Sequence, residues 1–417
     1  MSISTTRAKA LDTMTPYPHT PTGLRALALA ATLTMLSLPA SVSAQSNVTL
    51  YGTIDSGFVH ANHTATENGP QSRSMITSNI LSGSRWGLRG TEPLGQGLSA
   101  LFQLESGFNA VNGEMGNGGR AFGRKAIVGL RSAQWGEVTI GRQYDPVVNL
   151  VQGTTADGIF GGFFATPGDV DNYDNGARIN NSIRYATPNF GGLQFEGMYA
   201  TGNVAGKEGA GRTYGFAGAY NNGPVSLGAG FFFADGGSRE VTDYTKKDFG
   251  YREWTSSAGS LFSSPINRGF RTASKVRIAR VGGKYAVGPA ILGMSFSTAQ
   301  YASDGLSDFT GTAKFDTVNA FATYALTPAI NTGIGYSYTR LRGGRQVGAH
   351  YNQFNAGVTY ALSKRTSTYV IGGYQQAVGK TLDNGRVVEA SASVGSAGLD
   401  AGARTQLLVG MGLKHSF

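Results

Sequence analysis

Gln406-Leu407-Leu408-Val409-Gly410-Met411-Gly412-Leu413-Lys414-His415-Ser416-Phe417 is the stretch that decides the fold. Leu407, Val409, Met411, Leu413, His415 and Phe417 share one face, while Gln406, Gly410, Gly412, Lys414 and Ser416 mostly fill the other. A period of two is the signature of a β-strand with one greasy and one wet side. The wet side here is small and polar rather than charged. The same alternation recurs: Thr332, Ile334, Tyr336 and Tyr338 against Gly333, Gly335 and Ser337; Phe354, Ala356, Val358 and Tyr360 against Asn355, Gly357 and Thr359. Leu292, Met294 and Phe296 repeat it upstream.

Working outward, seven short breaks rich in Gly, Pro, Asn or Ser separate pairs of such segments, at 92–97, 132–136, 188–192, 221–224, 287–290, 326–329 and 362–365. Eight longer polar connections are centred near residues 68, 114, 163, 206, 255, 308, 344 and 390. Seven turns and eight loops join sixteen strands, with about 23 residues per strand and connection, as a strand of about 10 membrane-spanning residues requires. Nine prolines beyond residue 44 (Pro70, Pro93, Pro146, Pro167, Pro188, Pro224, Pro265, Pro289 and Pro328) all fall in these connections, and proline is excluded from the interior of a closed barrel. Tyr185-Ala186, Tyr285-Ala286, Tyr324-Ala325 and Tyr360-Ala361 each precede a short turn, which reads as an aromatic girdle at headgroup level.

Composition agrees. The 417 residues include 62 glycines and no cysteine, and only 14% are charged. Disulfides, thiolate-bound metals and a catalytic thiol are excluded. His60, His63, His350 and His415 are too scattered for a nucleophile and base, and no phosphate-binding loop stands out. The expectation is a protein that is not an enzyme, with no metal, no cofactor and no nucleic-acid partner. Residues 1–44 read as a signal peptide: Arg7, Lys9 and Arg25 precede an apolar run at 26–38, and Val42-Ser43-Ala44 presents a cleavage site. Met14 is an alternative start to Met1. Cleavage leaves one domain, 45–417, and lowers the formal charge from +10 to +8 by removing Arg7, Lys9, Arg25 and Asp12.

The chain resembles the trimeric general-diffusion porins of the Gram-negative outer membrane, most closely their β-proteobacterial branch. The resemblance rests on Asn47-Val48-Thr49-Leu50-Tyr51-Gly52, on Ser82-Gly83-Ser84-Arg85-Trp86-Gly87-Leu88-Arg89-Gly90, and on Phe102-Gln103-Leu104-Glu105. Gly141-Arg142-Gln143-Tyr144-Asp145 and Gly412-Leu413-Lys414-His415-Ser416-Phe417 extend it across the domain. It implies an all-β, sixteen-stranded antiparallel transmembrane barrel with short periplasmic turns, long extracellular loops and a third loop folded inward. It also implies a homotrimer in outer-membrane lipid and lipopolysaccharide, passing small hydrophilic solutes and ions with a modest preference for anions. A substrate-specific channel, or a structural or adhesive barrel, is the alternative.

The resemblance puts constriction arginines at Arg85, Arg124 and Arg178, with Glu105 beside them. Arg85 and Glu105 have inward parity; Arg124 and Arg142 share the phase of apolar residues, a conflict that a β-bulge at Gly123 or Gly141 would resolve. The third connection, about 145–181, carries Asp145, Asp157, Asp169, Asp171 and Asp174. Enteric members of the family have Pro-Glu-Phe-Gly-Gly there; this chain has Gly158-Ile159-Phe160-Gly161-Gly162. Phe417 looks like the assembly signal read by the barrel-assembly machinery.

Overall fold

The structure is a computed structural model and describes residues 47–203, 209–236, 261–344 and 347–417. The expected signal peptide at 1–44 lies outside the described residues. The strands are β1 (Asn47–Thr64), β2 (Gln71–Ser78), β3 (Arg85–Gly95), β4 (Leu98–Gly107), β5 (Lys125–Ser132) and β6 (Gly136–Gln143). They continue as β7 (Ile179–Ala186), β8 (Leu193–Ala200), β9 (Thr213–Asn222), β10 (Val225–Asp235), β11 (Lys275–Val287) and β12 (Ala290–Ala302). The last are β13 (Thr312–Ala325), β14 (Ile330–Arg342), β15 (Gly348–Ala361), β16 (Thr366–Asp383), β17 (Arg386–Glu389) and β18 (Thr405–Ser416).

All pair antiparallel, and β1 meets β18 from Thr53↔Ser416 to Ala61↔Leu408, so the sheet closes on itself. β2 pairs with the loop-side half of β1 and β3 with its turn-side half, so the two fill a single position, broken at 79–84. β17 is a short hairpin at the tip of β16. The wall is therefore a closed sixteen-stranded barrel. Closure leaves no unpaired sheet edge to aggregate.

All seven expected turns join consecutive strands. Eight of the nine prolines lie outside strands, but Pro93 sits in β3, beside a register shift at its turn end where the ladder is already interrupted. Tyr185, Tyr285, Tyr324 and Tyr360 are exposed on the outer wall at the turn end. Leu407, Met411, Leu413 and Phe417 also face outward, while Gln406 and Leu408 are buried inward.

The third loop, 144–178, is folded inside the barrel. Asp145 caps its short helix Pro146–Val151, accepting from the amides of Val147 and Val148 at 2.8 and 3.1 Å. Apolar side chains then seat on wall positions that carry no side chain: Val147 against Gly230, Phe160 between Gly333 and Gly357, Phe164 against Gly335. Gln353 and Asn355 of β15 donate to the carbonyls of Ala165 and Phe163 at 2.8 and 2.6 Å. The inner wall is thus carved by glycine and held by amide side chains.

The third loop is not alone. Residues 261–274 of the fifth connection bury Phe262, Ile266 and Phe270 against Tyr301, Phe309 and Phe315. In the eighth connection Val394 is buried against Gly373, and Ser396 donates its amide to Gly162 at 3.0 Å. Three inward loops, not one, pack inside the barrel. The apolar Leu261-Phe262 and Phe270 inside a nominally polar connection were the sequence signal for it.

Candidate functional site

What the loops leave open is a cavity of about 900 Å³. Arg85, Arg124 and Arg178 border it together with Asp157, Asp169 and Asp174. Of the ten residues expected at a constriction or assembly site, these six share one lumen.

The basic wall is built around Tyr144 and Glu105. Tyr144 accepts from Arg124 at 2.8 Å and from Arg178 at 2.9 Å, with the Arg178 guanidinium 4.9 Å from its ring centre. Glu105 lies beneath: Arg124 donates to it at 2.7 Å, Tyr51 at 2.9 Å, and the Arg85 Nε stands 4.0 Å away. A planar guanidinium bound on two sides is a pre-ordered positive charge rather than a mobile one. Lys125 and Tyr144 also border the cavity, and neither was anticipated; Lys125 follows Arg124 directly, and its ammonium stands 5.7 Å from the Tyr144 ring centre.

Arg142 is placed differently. It is buried behind the wall, where its Nε donates to the Gly123 carbonyl at 2.7 Å and its Nη1 donates to both Asn180 and the Arg178 carbonyl. It ties together the backbones that carry Arg124 and Arg178. The expected bulge is present at Gly141, where φ is +132° and the register shifts before Gln143. That shift turns Arg142 inward although Ile140 faces out.

The aspartates that line the cavity all belong to the third loop. Asp157 accepts from Gln152 at 2.7 Å and from Thr155; Asp169 accepts the Asp174 amide at 2.8 Å; Asp174 accepts from Ser396. Burial raises all three carboxyls, and their mutual repulsion adds to it at Asp157 and Asp169; Asp157 is pushed up to about 7. Asp171 departs from expectation. It faces the wall, bonded to Thr166 at 2.6 Å and to Ser297 of β12, while its carbonyl accepts from Arg280. Asp145 is spent as the helix cap.

The segment 79–84, which interrupts the β2–β3 position, projects inward beside the site. Asp55 of β1 accepts the amides of Leu81 and Ser82 at 2.8 and 2.6 Å and the hydroxyl of Tyr369. Gly161, at φ +71°, packs directly on Leu81, a backbone and a space that only glycine fits. Phe417 closes the β1–β18 seam: its amide and carbonyl pair with Gly52 at 3.1 Å each way. Its ring covers Gly52.

Comparison with known proteins gives a consistent picture. A family model described as Gram-negative porin matches residues 26–380. An outer membrane porin protein of Bordetella pertussis is 29% identical over 369 residues, covering 83% of this chain and 93% of that protein. Outer membrane porin protein 32 of Delftia acidovorans is 37% identical over 207 residues, covering 48% of this chain and 57% of that protein. Among solved structures, the anion-selective porin from Comamonas acidovorans superposes with a TM-score of 0.67 at 24% identity, covering 89% of this chain and all of that one.

Proposed function

The chain belongs to the Gram-negative porin family and forms a diffusion channel across the outer membrane, and from that premise we propose that its eyelet sorts small hydrophilic solutes by charge, with a modest preference for anions. The observation that carries this is the sharing of Tyr144 by Arg124 and Arg178 on the lumen wall. Fixed guanidinium groups present charge to a passing anion at no reorganisation cost. A monovalent ion about 4 Å from one unit charge gains about 1 kcal/mol in water-like dielectric, a bias of roughly fivefold. Asp157, Asp169 and Asp174 of the third loop cancel part of it and leave a transverse field that orients dipolar solutes. The anion-selective relative from Comamonas supports the same sign.

In this reading the protein does no chemistry on what it passes. It works as a homotrimer, embedded in lipid and lipopolysaccharide, and is inserted by the barrel-assembly machinery through the strand ending in Phe417. Cross-linking in mild detergent should stop at three subunits.

The test of selectivity is the zero-current potential in a salt gradient. Arg85→Ala with Arg178→Ala should move it toward cations. The native preference should shrink as salt rises, because the Debye length falls from about 10 Å at 0.1 M to about 3 Å at 1 M. An unchanged potential in the double variant removes these arginines from the eyelet.

A further inference from the structure

The outer wall carries a second charged feature, far from the lumen. At the loop end of β11 to β16, cations replace the apolar side chains that face lipid lower down. Along β14 the outward residues run Ile334, Tyr336, Tyr338, Arg340, Arg342. Register places four cations in one line, with Gln300 and Gly348 between them. Arg277 pairs with Gln300, Gln300 with Lys314, Lys314 with Arg342, Arg342 with Gly348, and Gly348 with Lys380. Directly opposite residues lie about 5 Å apart, so this is one continuous row over six strands.

The row is net positive. Asp316 binds Lys314 at 3.3 Å and also Arg342, and Glu389, opposite Lys380 on β17, binds Arg404 at 3.0 Å. Arg277, Arg340 and Lys380 are exposed. Gly348 leaves a gap between Arg342 and Lys380, and a notch of about 330 Å³ opens there, bordered by Arg340, Arg342 and His350.

The height of the row fits a headgroup. Tyr360, in the girdle at the turn end, pairs with Ile330, twelve residues below Arg342. At about 3.3 Å per residue and a tilt near 40°, that is roughly 30 Å, just beyond the apolar band of about 25 Å. Tyr338 and His350, with ring centres 6.3 Å apart, mark the boundary.

We propose that this row is a binding site for the phosphates of a phosphorylated glycolipid of the outer leaflet, lipid A, seated over Gly348 between Arg342 and Lys380. A row of cations at that depth meets the phosphate layer of an anionic leaflet, where each contributes attraction that water and salt only partly screen. Arginine suits phosphate because its fork can donate two bonds at once. The acyl chains would then lie along the apolar face formed by Val318, Tyr336, Phe354 and Tyr374.

The proposal rests on the reading that lipopolysaccharide surrounds the barrel, and the test separates the two. The full-length folded protein is incubated with purified bisphosphorylated lipid A in detergent, and bound lipid is counted by native mass spectrometry. Wild type should retain lipid A, and Arg342→Ser with Lys380→Ser should retain roughly tenfold less at unchanged single-channel conductance. Lys364→Ser with Arg365→Ser, which removes the same charge at the turn end, should retain as much as wild type. Equal retention by the Arg342/Lys380 variant overturns the site, as does equal loss in the turn-end variant. No retention by wild type overturns the lipopolysaccharide reading itself.

Discussion

The ring of Phe160 packs against Gly333 of the barrel wall, and the seat exists because Gly333 has no side chain. A Cβ there would come within 2.2 Å of the ring edge. Gly333→Val should therefore displace the third loop rather than the strand, since the strand is held by ladders on both sides. Overpacking of this kind costs about 1–3 kcal/mol. Single-channel conductance should rise, and the loop should become accessible to protease. A variant that conducts as wild type does would show that the loop is held elsewhere.

Asp55 offers a second handle on the site. Replacing it with Ala orphans the amides of Leu81 and Ser82 and the hydroxyl of Tyr369, at about 1–3 kcal/mol for each buried group. The segment 79–84 would lose its tether, and Arg85 follows it directly. Asp55→Ala should lower the temperature of barrel unfolding and add noise to the open-channel current. Asp55→Asn, which keeps an acceptor, should fall between. Wild-type melting in Asp55→Ala would rule out the tether.

Much of this is legible in the sequence. The turns announce themselves because their backbones need Gly, Pro or Asn, and Gly223-Pro224 or Gly288-Pro289 can be little else. The outer wall is legible because lipid enforces alternation. Arg124 defeated the parity argument because it precedes β5, whose first residue is Lys125, and so does not share that strand's phase. Arg142 defeated it through the Gly141 bulge. The inward fifth and eighth loops were hidden for another reason. What they bury against is contributed by strands far away in sequence, such as Tyr301, Phe315 and Gly373. Nor could sequence separate Asp171, bound to Ser297, from Asp157, Asp169 and Asp174 at the lumen.

Glu105 tests the balance of the basic wall. It is a nearly buried anion beneath Arg124, Arg85 and Tyr51. Glu105→Gln keeps the shape and removes the charge. The zero-current potential should move further toward anions, by an amount comparable with the roughly fivefold bias of one unit charge. Arg124, left without its carboxylate, should cost the barrel stability as well, of the order of 3 kcal/mol for a broken buried pair and less where lumen water reaches it. A shift toward cations would mean that Arg124 had swung out of the lumen.

The acidic side should make selectivity depend on pH. Burial and neighbouring charge raise the carboxyls of Asp157, Asp169 and Asp174, Asp157 to about 7. As pH falls from about 8 to about 5 Asp157 takes up a proton while the guanidinium groups of the lumen wall stay charged. The anion preference should therefore strengthen on acidification. Folding is linked in the same sense. A carboxyl raised above its unfolded value near 4 holds a proton that the unfolded chain has released, so its contribution is full below about pH 4 and is lost as pH rises through about 7. The third loop should be most protected from protease at the acidic end of that window. Asp157→Asn fixes the neutral form, so it should weaken the pH dependence of both the potential and the protection between about pH 5 and 8. A zero-current potential of the native channel that does not move across that range would separate Asp157 from the ion path.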